Sequence, residues 1–198
     1  MATPGVLVIA TAHLLGVPEN FVVTPWRVLR EAGEVTVGGR GKHAAHVTME
    51  DAAKLFIAVA ASSPLKSTLE SWREFAQLRP MASTPAPWAN LPKTTPFKKL
   101  RRLPKSHRFL DALSALMLDL SLKSARDCVF PGVGLLEVTL YSPQTLARIS
   151  LGAGQAPLVS ATYVGVDRGD SGDLLTATTF RLRSMGHIAQ LVASQADA

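Results

Sequence analysis

Proline placement divides this chain more sharply than any other feature of its sequence. Six prolines fall within residues 80–104, at positions 80, 85, 87, 92, 96 and 104. Proline in a helix interior or a central strand loses a backbone hydrogen bond, so this stretch is predicted to be loop or extended chain. Segments with regularly spaced apolar residues lie on both sides of this stretch. We therefore predict three parts: residues 1–63, residues 64–105 with one helix before the prolines, and residues 106–198.

Two helices are predicted at the start of the chain. The first runs from Val6 to Leu15 and is interrupted at Gly16. The second includes residues 26–32 and stops at Gly33, because glycine tolerates the left-handed conformation that ends many helices. Pro25 leaves two possibilities for the second helix: it starts late, with Thr24 as its cap, or it is bent at the proline.

A basic hairpin is predicted to follow these helices. Residues 34–37 form a short β-run, residues 38–42 a glycine-rich tip with two cations, and residues 43–47 a returning strand. Thr48 and Asp51 then form a variant of the capping box, which opens a third helix.

This order of helix, turn, helix, hairpin and helix resembles a winged helix-turn-helix domain of the MerR or phage-regulator kind. The resemblance lies in residues 10–18, 26–33 and 34–47, and it extends more weakly to prophage regulators and to activators of phage-derived gene transfer agents. It implies that the second helix enters the major groove of DNA and that the hairpin, or wing, contacts phosphates. The residues that it assigns to DNA are Thr24, Trp26, Arg27 and Arg30 on the helix, and Arg40, Lys42 and His43 on the wing.

Positive charge is concentrated in the middle of the chain. Net charge is +6, yet residues 64–110 alone contain ten Lys/Arg and only two Asp/Glu. Clustered cations suit contact with phosphates because each contact releases condensed counterions. A solvated linker or a site for an acidic protein partner are the alternatives. The cations of this basic arm, which has no acidic residue, are Lys93, Lys98, Lys99, Arg101, Arg102, Lys105 and Arg108.

The basic arm is expected to be poorly ordered or extended in the free protein, because so polar a stretch buries little apolar surface. Lys98, Lys99, Arg101 and Arg102 are its predicted DNA contacts. Trp88 and Phe97 are expected to dock on a neighbouring domain, or otherwise to stack on a base.

The last part is predicted to be a small α+β domain with an antiparallel sheet. A helix from about residue 109 to 122 precedes four strand candidates at 135–141, 146–151, 158–166 and 174–182. Alternating polarity and turn residues favour antiparallel pairing. The predicted fold class is therefore α+β: a winged helix-turn-helix, a basic proline-rich linker and a C-terminal α+β domain for interaction or oligomerisation.

The sequence shows no convincing catalytic motif. His43 and His46 lack the cysteines or carboxylates of a metal site, and the single cysteine, Cys128, has no flanking histidine. The aspartates at 167, 170 and 173 lack the closing glutamate of a calcium loop. We predict a non-enzyme without cofactor or metal. One cysteine and the lack of a long apolar stretch lead us to expect a soluble, cytoplasmic protein.

The leading hypothesis is a sequence-specific transcription regulator that binds double-stranded DNA. RNA polymerase or another regulator is the expected partner of the C-terminal domain, and a homodimer or other oligomer is expected. Two alternatives stay open: a phage-type DNA-packaging subunit resembling a small terminase, and a winged-helix module that binds protein.

Overall fold

A computed structural model describes residues 3–36, 46–62, 67–83, 87–129, 134–153, 156–165 and 176–194. Within these ranges the chain is α+β, as predicted, with eight α-helices and one five-stranded antiparallel sheet. The helices are α1 (Pro4–Leu15), α2 (Glu19–Glu31), α3 (Met49–Ala60), α4 (Thr68–Ala76), α5 (Lys98–Arg101), α6 (Phe109–Leu120), α7 (Lys123–Val129) and α8 (Leu182–Ser194). The strands are β1 (Arg79–Pro80), β2 (Gly134–Ser142), β3 (Leu146–Ala153), β4 (Ala156–Val164) and β5 (Thr176–Arg181). A 3₁₀ helix spans Pro87–Asn90.

The ends of helices α1 and α2 are each followed by a glycine in the left-handed conformation. Gly16 has a φ of 66° and its amide donates to carbonyls of the last turn of α1. Gly33, with a φ of 71°, follows the end of α2, and the next amide reaches back to the carbonyl of Leu29. These left-handed positions confirm both predicted helix ends, because a side chain there would be strained.

Helix α2 runs through Pro25, so the predicted late start at Thr24 is wrong. It begins six residues before the proline, and Pro25 cannot donate to the carbonyl of Phe21. The lost bond is offset by burial of Val22, Trp26 and Leu29 on the same side of the helix. Tertiary packing therefore overrides the local preference of proline for a helix start.

Helix α3 begins with the predicted capping box. The Thr48 hydroxyl accepts from the amide of Asp51 at 3.1 Å, and the Asp51 carboxylate accepts from the amide of Thr48 at 2.9 Å. Every residue from Ala52 to Val59 except Lys54 is buried, so α3 is the central helix of the molecule. It contacts α2, α4, α6 and α8.

The basic arm differs from the extended segment that we expected. Trp88, Phe97 and Leu100 are each at most 5% exposed, and they fix the arm against α6 and the sheet. Docking of Trp88 and Phe97 on a neighbouring part of the chain is thus confirmed. Charge and proline content favoured an extended arm, but three well-spaced apolar side chains dock it on the core while most of its cations stay exposed.

The strand order in the sheet is β1-β4-β3-β2-β5. The predicted hairpin of β2 and β3 is present, with Val138 opposite Ile149 in the register. The edge strand β1 and the helix α7 were not predicted. The aspartates at 167, 170 and 173 lie outside the described residues.

One face of the sheet packs on the helices, and the opposite face is polar. Phe180 of β5 meets Phe56 of α3 edge-to-face, with ring centroids 5.0 Å apart. The buried apolar side chains form one cluster that extends from Leu7 in α1 to Val192 in α8. The predicted boundaries at residues 63 and 105 therefore fall within one continuous core.

Candidate nucleic-acid interface

Helix α2 presents a polar ridge on the side away from the core. At 100° per residue, its buried side chains share one face, and Asn20, Thr24, Arg27 and Glu31 lie opposite them. All four are exposed. We call Asn20, Thr24 and Arg27 the α2 ridge. Spacings of four and three residues align these side chains along the helix, as insertion into a groove requires.

Arg27 and Arg30 both reach solvent. The Arg27 guanidinium lies 3.9 Å from the Glu31 carboxylate, and both side chains are at least 60% exposed. Such an exposed pair is weak, so a phosphate or a base can replace Glu31 as the partner of Arg27. Trp26, which the sequence assigned to DNA, is only 6% exposed and packs in the core.

A buried carboxylate joins the two ends of the predicted wing. Asp51, which is 2% exposed, accepts from the amide of Thr36 at 3.0 Å and from the amide of Thr48 at 2.9 Å. The chain segments before and after the predicted wing are therefore hydrogen-bonded to the same carboxylate. The predicted wing residues Arg40, Lys42 and His43 belong to residues 37–45, which are outside the described residues.

Glu34 fixes the chain between α2 and the wing. Its carbonyl accepts from Lys54 Nζ at 2.8 Å, and its carboxylate accepts two bonds from the Arg73 guanidinium, at 2.9 and 3.2 Å. These contacts bind Glu34, at the start of the predicted wing, to α3 and α4.

A second buried carboxylate holds the basic arm. Asp119, which is 1% exposed, accepts from the amides of Lys99 and Leu100 at 3.0 and 2.9 Å. Burial raises the pKa of Asp119, against the opposing effect of these two hydrogen bonds. Leu100 points into the core. The side chains of Lys98, Lys99 and Arg102 are exposed, and that of Arg101 is half-buried.

The arm runs back along α6. Asp119 lies near the C-terminal end of that helix and Arg108 at its N-terminal end, so the arm crosses roughly 16 Å between them. Arg108 donates two bonds to Asp111, at 2.8 and 3.2 Å. Burial alone would raise the pKa of Asp111, but its bonds with Arg108 outweigh burial and the pKa is lowered. Arg108 is thus neutralised, whereas no described carboxylate pairs with Lys98, Lys99, Arg101 or Arg102.

A buried polar triad attaches both ends of the arm to the sheet. Trp88 Nε1 donates to the Tyr163 hydroxyl at 2.9 Å, and that hydroxyl lies 2.9 Å from His107 Nε2. His107 Nδ1 lies 2.6 Å from the carbonyl of Pro104, which can only accept, so Nδ1 carries the proton. Tyr163 therefore donates to Nε2 of a neutral imidazole.

Burial stabilises the neutral form of this triad. It is the largest cause that lowers the pKa of His107, and it also raises the pKa of Tyr163. All three side chains have hydrogen-bond partners, within the triad and at the Pro104 carbonyl, which is typical of a structural network rather than of an open reactive site.

The grouping of metal-ligating side chains and the size of the cavities bear on whether the described residues could hold a metal or a small ligand. Within those ranges no three His, Cys, Asp or Glu side chains come together to hold a metal ion. The two best-formed cavities have volumes of about 100 and 120 Å³, below the roughly 300–1,000 Å³ of ordinary ligand pockets. Among the described residues, no helix is long and apolar enough to cross a membrane.

The fold and these surfaces define an α+β protein with a helical N-terminal part, a docked basic arm and an antiparallel sheet. Comparisons with protein-family models, with curated proteins and with solved structures give no match.

Sequence reasoning missed three residues that shape this interface. Asn20 was overlooked because Pro25 obscured the true start of α2. The bond from Thr36 to Asp51 and the role of Asp119 depend on contacts between segments that are 15 or more residues apart. Only the capping spacing of Thr48 and Asp51 was a usable local signal.

Proposed function

We propose that this protein is a sequence-specific, DNA-binding transcription regulator, with a winged helix-turn-helix as its reading head. The observation that carries the proposal is the position of Asp51. It closes the base of a glycine-rich segment containing Arg40 and Lys42, shortly after a helix that presents a polar ridge to solvent. A reading helix followed by a closed basic loop is the order that a winged helix-turn-helix requires.

The charges of the arm support double-stranded DNA as the ligand. Lys98, Lys99, Arg101 and Arg102 are held on a docked surface, where they can contact phosphates with little loss of chain entropy. In this proposal α2 reads bases, the wing and the arm contact the backbone, and the C-terminal sheet and α8 serve RNA polymerase, another regulator or a second copy. The protein would act in the cytoplasm, and its phage relationship rests on the sequence resemblance alone.

The wing provides the direct test. The purified protein is first used to select fragments from a random DNA library, and the affinity for a selected fragment is then measured at several salt concentrations. Replacement of Arg40 and Lys42 by alanine should flatten the slope of log affinity against log salt by roughly 0.9 for each lost phosphate contact.

Two controls make this test decisive. A variant with alanine at Arg183, an exposed arginine of α8, should keep the wild-type slope. A protein that enriches no sequence, or a wing variant with an unchanged slope, would contradict the proposal.

A further inference from the structure

Helix α2 has side chains on its outer face that its packing does not require. Asn20, Phe21, Val23 and Thr24 all lie in its first two turns and are exposed. Phe21 and Val23 are 49% and 45% exposed, although both are large and apolar. In this part of α2, Val22 and Trp26 pack in the core. The stability of the fold therefore does not explain the identity of the four exposed side chains.

Their chemistry matches the major-groove edge of an A·T base pair. An asparagine side chain can bind adenine in a bidentate arrangement, because its NH₂ group donates to N7 and its Oδ1 accepts from the N6 amino group. Threonine methyl groups and phenylalanine rings can make apolar contact with the methyl group of thymine. Asn20 and Thr24 are four residues apart on the ridge, and Phe21 and Val23 flank them on either side.

Their position on the helix adds a geometric reason. The N-terminal residues of a recognition helix are the ones that contact base edges. Because α2 begins at Glu19, Asn20 and Thr24 lie in its first two turns, whereas Arg27 lies in the third. The charges of α2 balance, with Glu19 and Glu31 against Arg27 and Arg30, so the helix alone offers little general attraction to phosphate.

We infer that Asn20 and Thr24, flanked by Phe21 and Val23, select an A·T base pair in the major groove. Asn20 recognises the adenine and Thr24 contacts the thymine methyl group. This inference rests on the proposed function, which it deepens by naming the base pair that is read and the side chains that read it.

The test compares base preference profiles. Wild-type protein and the variants N20A and T24A are each used to select binding sites from the same random library, and affinities are measured for the selected site and its single-base changes. N20A should lose about tenfold discrimination for adenine at one position. T24A should lose about fourfold preference for thymine over uracil, which lacks the methyl group.

Matched variants separate readout from general damage. Asn90 is exposed in the 3₁₀ helix, and Thr94 is exposed in the arm. N90A and T94A should therefore keep the wild-type profile. Circular dichroism of all four variants checks that the helices remain.

Each outcome has a distinct meaning. If wild type selects a site and both ridge variants keep its profile, or weaken all sequences equally, the inference is overturned and the proposed function stands. If wild type selects no site, the proposed function and the inference fail together. Loss of preference at one A·T pair in N20A, with N90A unchanged, supports both.

Discussion

The wing base and the basic arm are both held by a buried aspartate, but the two carboxylates do different things. Asp51 accepts from Thr36 and Thr48, which are twelve positions apart, and so closes a loop. Asp119 accepts from the adjacent residues Lys99 and Leu100, and so fixes a single point of a chain that Trp88 and Phe97 also attach. At the predicted wing, Asp51 is thus the group that joins the two chain segments to each other, with Glu34 as a further attachment of the first segment, whereas Asp119 is one of several attachments of the arm.

The two regions should also differ in what they give to binding. The arm displays cations that no described carboxylate neutralises, and phosphate contacts do not distinguish sequences. The α2 ridge beside the wing base carries side chains with directional hydrogen bonds. We expect the arm to supply affinity and the ridge to supply preference.

The largest expected effect comes from neutralising the arm. Replacement of Lys98, Lys99, Arg101 and Arg102 by glutamine should lower affinity for selected and random DNA by similar factors, and flatten the salt slope by roughly 0.9 per lost contact. Titration of both DNAs at one fixed salt concentration measures this.

The ratio of the affinities for selected and random DNA helps to distinguish an arm that contacts the DNA backbone from an arm that binds an acidic protein partner. An unchanged ratio supports backbone contact. Undiminished DNA binding, with loss of a protein complex, would instead show that the arm faces an acidic partner.

The second effect concerns stability and compares the two carboxylates. D51N should lower the free energy of unfolding by about 1–3 kcal/mol, because asparagine replaces one of the two accepting oxygens with an NH₂ group and leaves the Thr36 or the Thr48 amide without its acceptor. D119N also removes one of two accepting oxygens, but it should cost less, because burial raises the pKa of Asp119 and asparagine removes that buried charge.

Urea denaturation of both variants, with the exposed D127N as control, measures the difference. The control should stay within about 0.5 kcal/mol of wild type. A D119N loss larger than that of D51N would reverse the comparison.

The smallest expected effect is a pH dependence at the end of the arm. The pKa of His107 is lowered from its ordinary value of 6.5 in the folded protein, chiefly by burial. Folding therefore favours the neutral ring. This stability is fully present above the unfolded pKa of about 6.5, and it is lost as pH falls through the lower folded pKa.

Denaturation at a series of pH values between 7.5 and 5 would show the loss as a falling free energy of unfolding. H107Q, which cannot take up a proton, should be less stable at pH 7.5 but should lack this part of the pH dependence. Parallel pH curves for H107Q and wild type would show that His107 does not titrate in this range.

Patterns within a few residues of sequence correctly predicted the helix ends, the helix start and the hairpin that interactions between near neighbours determine. Gly16 and Gly33 ended their helices, Thr48 and Asp51 started α3, and alternating side chains gave the β2–β3 hairpin. These signals lie within a few residues of the feature that they specify, so no knowledge of the fold was needed.

The failures share one physical cause, which is long-range packing. Pro25 was predicted either to follow a late helix start at Thr24 or to bend the helix, and the late start is wrong because burial of neighbouring side chains keeps the proline inside α2. The arm was predicted to be extended because Tyr163, the partner of Trp88, lies 75 residues away. Of the candidate site, the arginines were evident from the sequence, whereas Asn20 required the true start of α2.

The continuous core has a consequence for how this protein could be divided by recombination or by proteolysis. Buried residues of α3 pack on α6 and α8, and α1 contacts α8. A fragment that stopped at residue 63 would expose the side of α3 that packs on α6 and α8, and a fragment that began at residue 106 would lose the packing of Phe56 on Phe180 of the sheet. We therefore expect helices α1–α3 to depend on the last helix and the sheet of the same chain for part of their packing, so that neither fragment keeps the full stability of the whole chain.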